Sequence, residues 1–354
     1  MEYKILYIED ENANSIKSDI ESDGISVDIL QPAGFEMDLN KLCENTYDAF
    51  IMDFRLTTGV GKVDAPTFAT TLRTEGTNQK KVPIIMISTE RNLPHFENDS
   101  TSQDLFDIVI GKEAFRRNHQ KYTTRIKSFI EAYRTIAQCN FDIKTILDID
   151  DISELDYRFI FKLESYKSRG DIYGYLRFIN NSLVRAIGPL VGPEVLAARL
   201  GIDINEDDND FQKLVTMPEF TKCKYTGILS NTYNRWWFDK IQILWQSISP
   251  VSLRRTIAKG RVDILNQRYN LKLRYAVPLE MATSSTFWTI CHEYKKPLDP
   301  TDGYQFRNRH LDEWMEPEYI SLKGALEFPD KQEFLSPLDK EEVRSLGKEA
   351  NERE

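Results

Sequence analysis

The first 138 residues predict an α/β domain, a doubly wound sheet of five parallel strands. Short apolar runs recur at Ile5–Ile8, Ile25–Leu30, Ala49–Met52, Val82–Ile87 and Ile108–Ile110. Segments with helical spacing or turn residues separate them. Four of the runs end in residues able to do chemistry: Glu9-Asp10-Glu11, Asp53, Ser88-Thr89 and Gly111-Lys112. Continuous apolar runs bounded by turn signals suit strands buried on both faces. Strands alternating with helices build parallel sheets through right-handed crossovers. The strand ends then meet at the carboxyl edge, where ligands bind in open α/β sheets.

Each element has its own local signal. Asn12–Asp23 places Ile16 and Ile20 one turn apart, and Gly24 follows as a helix stop. Asp38–Glu44, with Leu39 and Leu42, reads as a short helix. Pro66 suits the first turn of a helix carrying Phe68, Ala69 and Leu72, which Gly76 stops. Residues 91–104 are polar and contain Pro94, so the helix expected there has the weakest pattern. Ala114–Cys139 reads as one long helix, with Phe115, Tyr122, Ile126, Phe129, Ile130 and Tyr133 near helical spacing.

The whole chain has 354 residues, 41% of them hydrophobic and 29% charged, so two soluble globular domains are expected. The domains expected are 1–138, then 139–345, then a charged tail over 346–354. The net charge of −10 and the isolation of Arg116-Arg117 and Arg254-Arg255 argue against a nucleic-acid-binding face. The cysteines, Cys43, Cys139, Cys223 and Cys291, lie far apart with no CxxC spacing, which fits a reducing compartment. Neither a signal sequence nor an apolar run of membrane-spanning length is found, and a cytoplasmic protein without a membrane partner is expected.

Two carboxylates, a hydroxyl and an amine at one sheet edge suit magnesium-dependent transfer of a phosphoryl group onto an aspartate. Magnesium takes oxygen ligands and is usually held by one or two protein carboxylates, here Asp10 and Asp53. Glu9 would hold a metal-bound water. Lys112 would balance charge on the transferring phosphoryl oxygens, and Ser88 would hydrogen-bond one of them. Asp53, already ionised, needs no general base.

These residues resemble the receiver domain of two-component response regulators, whose fold is flavodoxin-like. Lys4–Glu11 (KILYIEDE) is similar to the family's first strand and acidic pair. Tyr47–Leu56 (YDAFIMDFRL) is similar to the strand bearing the phosphoacceptor. Pro83–Glu90 (PIIMISTE) is similar to the strand bearing the switch hydroxyl, and Asp107–Lys112 (DIVIGK) to the strand bearing the lysine. The resemblance covers roughly residues 1–135. It implies Asp53 as phosphoacceptor, Asp10 and Glu9 as the acidic pair, the Arg55 carbonyl as a third metal ligand, Ser88 as switch hydroxyl and Lys112 as phosphoryl partner. It implies Mg2+ as cofactor and a histidine kinase or phosphotransfer protein as donor. Four departures stand out. Glu113 replaces the proline usual after the lysine. Val109 occupies the aromatic switch position. Glu9 replaces the commoner aspartate, and the loop Thr57–Ala65 is long. Arg55 and Glu90, at two positions that tune phosphate lifetime in this family, are expected to pair over the site and slow hydrolysis.

Other chemistries fit less well. Haloacid-dehalogenase-type phosphatases want a second acid two residues after the first, where this chain has Arg55. Gly59-Val60-Gly61-Lys62 lacks the remaining parts of a phosphate loop. Cys291-His292 with Cys223 and His310 matches no zinc-finger spacing, and His95 and His119 sit in polar surroundings.

The second half reads as helical to about residue 265 and mixed beyond. The aromatic stripe Tyr157, Phe159, Phe161, Tyr166, Tyr173, Tyr175 and Phe178 is expected in a core. Arg235-Trp236-Trp237 is expected on a buried helix, and strands are expected at Leu271–Val277 and Phe287–Cys291. No short basic recognition helix appears. Tyr225–Ile228 with Arg235–Trp237 is faintly similar to uncharacterised regions that follow receivers in prokaryotic conflict and anti-phage operons. The function expected is a signalling protein whose second half contacts another protein, another receiver or a second copy of itself, or serves as a phosphate sink. The alternative is a phospho-activated enzyme acting on a nucleotide or nucleic acid.

Overall fold

The computed structural model describes residues 3–11, 13–32, 46–56, 63–74, 81–93, 104–153, 155–204, 209–307 and 311–351. The helix expected over 38–44, most of that over 91–104, the 59–62 glycine loop, Cys43, His95 and His310 lie outside these residues.

Five parallel strands form the first sheet: β1 (Tyr3–Ile8), β2 (Ile25–Leu30), β3 (Ala49–Met52), β6 (Ile84–Ser88) and β7 (Ile108–Gly111). Between β3 and β6, β4 (Arg55–Leu56) and β5 (Val63–Asp64) pair as a small antiparallel ribbon. The sheet order is β2-β1-β3-β6-β7, the 2-1-3-4-5 order of flavodoxin-like folds. Ile84–Ser88 is buried throughout, as expected for a strand covered on both faces. Helix α1 (Asn14–Ser22) buries Ile16 and Ile20, and Gly24 ends its turn at φ +79°, a left-handed conformation that glycine adopts without penalty. Helix α2 (Ala65–Thr74) buries Ala65, Phe68, Ala69 and Leu72.

The single helix expected after β7 is two helices, α3 (Lys112–Arg117) and α4 (His119–Gln138). The break is Asn118, at φ −143° and ψ 45°. Its N–H returns to the Phe115 carbonyl, and its own carbonyl accepts the Tyr122 N–H. Asparagine competes poorly as a helix-interior residue and well at a helix boundary.

The five-stranded sheet and its helices end at Gln138, but the compact unit runs to Asn180 and also takes in 226–232. Helices α5 (Ile143–Leu147), α6 (Tyr157–Ser168) and α7 (Ile172–Ile179) account for the extension. The Tyr173 ring stacks under the Arg73 guanidinium, 3.8 Å from centroid to Cζ, and Arg177 pairs with Asp104. The aromatic stripe divides. Phe159, Tyr175 and Phe178 pack inward, with Phe159 and Phe178 stacked at 5.2 Å, whereas Tyr157 and Phe161 are each 76% exposed. Those two lie one turn apart on the outer face of α6, so helical geometry takes them away from the core together.

At the amino edge of the sheet a charged knot is buried. Arg73 Nη2 donates to Asp107 Oδ2 at 2.7 Å, and Nη1 donates to Tyr133 Oη and the Val82 carbonyl, each at 3.2 Å. Asp107 also accepts from the Ile84 N–H at 2.8 Å and the Tyr133 hydroxyl at 2.9 Å.

The second unit comprises 181–225 and 233–354. Its helices are α8 (Pro193–Leu200), α9 (Asn209–Val215), α10 (Pro218–Thr221), α11 (Phe238–Ile248), α12 (Ala258–Tyr269), α13 (Leu322–Glu327) and α14 (Pro337–Asn351). Its strand pairs are short: β8 (Leu190–Val191) with β9 (Trp236–Trp237), β10 (Thr289–Ile290) with β11 (Pro297–Leu298), and β12 (Gly303–Gln305) with β13 (Tyr319–Ser321). Trp236 and Trp237 are buried, but as a strand, with the helix starting at Phe238. Adjacent strand residues point to opposite faces, so both rings can be buried in neighbouring layers. Leu271–Val277 forms only one bridge, Tyr275 to Ile202, rather than a strand. Helix α14 carries the charged C-terminal residues as far as Asn351. The main core gathers Leu196, Leu200, Phe211, Trp236, Ile241 and Trp245. Among the described residues, no helix is long and apolar enough to cross a membrane.

Asp107→Ala would strand the buried Arg73 charge. A loss of about 3–5 kcal/mol is expected, the usual result of removing one partner of a buried pair, read as a lower denaturant midpoint of the first unit. A midpoint within about 0.5 kcal/mol of wild type, the range of an ordinary surface substitution, would contradict it.

Candidate functional site

Sheet pairing continues one residue past the strands and fixes the acids at the carboxyl edge. The Glu9 N–H donates to the Leu30 carbonyl at 3.2 Å, and the Asp53 N–H to the Ile8 carbonyl at 3.1 Å. β1 and β3 are neighbours at the point where the strand order reverses, the position of the ligand crevice in this fold. Lys112 enters from the end of β7 and Ser88 from the end of β6.

The side chains of Glu9, Asp53, Ser88 and Lys112 meet at this edge. Lys112 Nζ donates to Asp53 Oδ2 at 2.6 Å and to Glu9 Oε2 at 2.7 Å. Ser88 Oγ donates to Asp53 Oδ1 at 2.6 Å, and the Phe54 N–H donates to the same oxygen at 2.6 Å. Glu9, Asp53 and Ser88 are buried, at 1%, 5% and 0% exposure. Asp10 is half-buried and completes a carboxylate group, with one oxygen each from Glu9, Asp10 and Asp53 within 4.8 Å of one another. Arg55 lies two residues beyond Asp53, at the start of β4, with its side chain exposed.

Electrostatics follow from burial. Burial pushes the Glu9 carboxyl above its ordinary value, and hydrogen bonds from Lys112 and Tyr7 pull it back only in part. Burial works against the Lys112 ammonium, but its hydrogen bonds to Asp53 and Glu9 outweigh it and hold its pKa above the ordinary value. Lys112 thus bridges two of the three carboxylates, and Asp10 stands beside them. A set of carboxylate oxygens this close together fits a hard divalent cation such as magnesium.

Two contributors, Tyr7 and Asn92, escaped the sequence reading. The Tyr7 hydroxyl donates to Glu9 Oε2 at 2.7 Å. Strand alternation puts residues 7 and 9 on one face, so this partner was within reach of the pattern. Asn92 Nδ2 donates to Ser88 Oγ at 3.4 Å. Glu90 does not pair with Arg55; its Oε1 accepts the N–H groups of Glu113 and Ala114 at 2.8 and 3.2 Å. Val109 is half-buried in β7. The other sequence candidates are accounted for by local contacts. His119 lies 3.1 Å from Asp23, Cys223 bonds the Glu219 carbonyl and Cys291 meets Ser321.

No family model and no curated protein matches the chain. Solved structures do. The N-terminal third of the chain is similar to response-regulator receiver domains. A sensor protein from Polaromonas sp. JS666 is 19% identical over 37% of this chain and 98% of its own, with a TM-score of 0.31. The receiver domain of a sensor histidine kinase from Pseudomonas aeruginosa, solved with a magnesium ion coordinated in the active-site cleft, is 22% identical over 37% of this chain and 99% of its own, with a TM-score of 0.30. A response regulator from Thermotoga maritima in complex with Mg2+-BeF is 21% identical over 34% of this chain and 96% of its own, with a TM-score of 0.28. These likenesses carry nothing about this chain's chemistry, which rests on the distances above.

Lys112→Ala would remove one of the pulls on Glu9 and let burial raise its pKa further. A carboxyl raised in the folded state lends stability that is fully present below its ordinary 4.5 and is lost as pH rises through the raised value. The stability gap between variant and wild type should therefore widen from about pH 5 to about pH 8, as the buried carboxyl ionises without its cation. Urea midpoints at the two pH values measure it, and a gap independent of pH would contradict the electrostatic account.

Proposed function

We propose that this protein is a response-regulator-like signalling protein that accepts a phosphoryl group on Asp53 from a histidine kinase or phosphotransfer protein. The observation that carries this proposal is the meeting of Ser88 and Lys112 on the two oxygens of Asp53, each at 2.6 Å, beside the Glu9–Asp10 pair. An aspartate carboxylate becomes a usable nucleophile toward phosphorus when nearby cations neutralise the approaching charge and the groups are aligned.

The Asp53 carboxylate attacks phosphorus. An O–P bond forms, the P–N bond to the donor histidine breaks, and the imidazole leaves with the electron pair and takes up a proton. Lys112 turns its ammonium to a phosphoryl oxygen, and Ser88 gives its hydroxyl hydrogen bond to another. Asp10, Asp53, Glu9 (through water) and the Arg55 carbonyl would hold Mg2+, which when bound offsets negative charge on the carboxylates and the phosphoryl group. Glu9 and Tyr7 keep the carboxylate side of the pocket in place.

The output we assign to the second unit is protein contact, with another protein, another receiver or a second copy, and without a chemical step. Among the described residues, the single group of acids, histidines and cysteines spaced to hold a metal is Glu9–Asp10–Asp53, in the first unit. A phosphate-sink role fits the same chemistry, since Val109 offers no ring to follow Ser88.

Labelling by a phosphorylated histidine kinase or by labelled acetyl phosphate tests the assignment. Wild type should be labelled in a magnesium-dependent way, and Asp53→Ala should fall to background. Lys112→Ala should be slower by roughly 10²–10³-fold, the usual loss for removing one charge-stabilising donor, and Asp10→Ala should lose magnesium stimulation. Label retained in Asp53→Ala would end the assignment.

A further inference from the structure

Ser88 and Lys112 come from different loops, and one carboxylate joins those loops. Glu90 stands two residues after Ser88. Its Oε1 accepts the backbone N–H groups of Glu113 and Ala114, the two residues after Lys112, at 2.8 and 3.2 Å. Gly111, just before Lys112, makes room for it, because a Cβ there would fall well inside contact distance of Glu90 Oε1. The Gly111 backbone, at φ −73° and ψ 140°, is open to any residue. Its glycine thus answers to the close approach of the carboxylate and not to backbone conformation. Glu113 fits the same scheme, since a proline there would have no N–H to donate. Burial raises the Glu90 carboxyl, but backbone N–H groups, those of Ala114 and Glu113 among them, outweigh it and hold it below the ordinary value.

We infer that Glu90 is a positioning residue that ties the Ser88 loop to the start of α3, so that Ser88 and Lys112 face the two oxygens of Asp53 in a single register. The inference rests on the assignment of Asp53 as phosphoacceptor. When a phosphoryl group arrives, Ser88 and Lys112 must both transfer from Asp53 to its oxygens. A carboxylate shared between their loops makes the two shifts one movement, and misplacement of either group slows transfer.

The test combines Glu90→Ala, Glu90→Gln, Gly111→Ala and the Glu90→Ala/Gly111→Ala double variant in the full chain. Rates of magnesium-dependent labelling by acetyl phosphate are read beside thermal midpoints and amide hydrogen exchange at Glu113 and Ala114. Glu90→Ala and Gly111→Ala should each slow labelling by roughly tenfold, within the range that small misplacements cost, with midpoints near wild type. The double variant should be no slower than either single one, because both remove the same contact. Glu90→Gln, whose amide oxygen still accepts both N–H groups, should label close to the wild-type rate. Amides 113 and 114 should exchange faster in Glu90→Ala whether or not Asp53 is labelled. Wild-type rates in Glu90→Ala and Gly111→Ala, additive losses in the double variant, or unaltered exchange at 113 and 114 would each overturn the inference. A wild-type protein that takes no label, with amides 113 and 114 still dependent on Glu90, would instead remove the phosphoacceptor assignment, and the positioning role with it.

Discussion

One ammonium group facing a buried carboxylate cluster governs the first unit. Lys112 is separated from Glu9 by more than a hundred residues and from Asp53 by nearly sixty, yet it bonds both within 2.7 Å. Burying that many acids without a cation is costly, because charges leave water for a medium that screens them poorly. The strand order brings the partners together: β1 and β3 sit side by side, and β7 reaches the same edge two strands away. Glu9, Asp10 and Asp53 each bring a carboxylate oxygen to this edge, and such oxygens suit a divalent ion.

Strand β7 shows how the fold supports that site. It has only four residues, Ile108–Gly111, with Asp107 in the Arg73 knot before it and Lys112 in the acid pocket after it. Each end is thus held by a charged contact, and the apolar residues between fill the sheet. The arrangement couples packing to function. The strand that delivers the lysine is anchored at its far end through α2, α4 and, by way of the Tyr173 ring over Arg73, through α7.

The second unit uses buried charge differently. Arg199 and Arg261 are both fully buried. Arg199 Nε donates to the Trp288 carbonyl at 3.0 Å, and Arg261 Nη1 donates to the carbonyls of Arg199 and Phe287 at 2.8 and 2.9 Å. The guanidinium groups thus supply donors to a carbonyl in the last turn of α8 and to two carbonyls just before β10. The Arg199 guanidinium also lies 4.1 Å from the Phe238 ring centroid. These arginines hold a core together.

The apolar runs and their terminal residues made the parallel sheet legible and put Glu9, Asp53, Ser88 and Lys112 at one edge of it. They did so because burial on both faces leaves a period that local sequence cannot disguise, and because a parallel sheet sends every strand end to one edge. Three-dimensional packing decided the rest. The break at Asn118, the strand made by Trp236–Trp237 and the outward turn of Tyr157 and Phe161 depend on which face meets a neighbour, and neighbours far along the chain leave no local trace. The same holds for Glu90. Its position in the resemblance suggested an ion pair with Arg55, but the N–H groups of Glu113 and Ala114 come within reach only once β6 and β7 lie side by side.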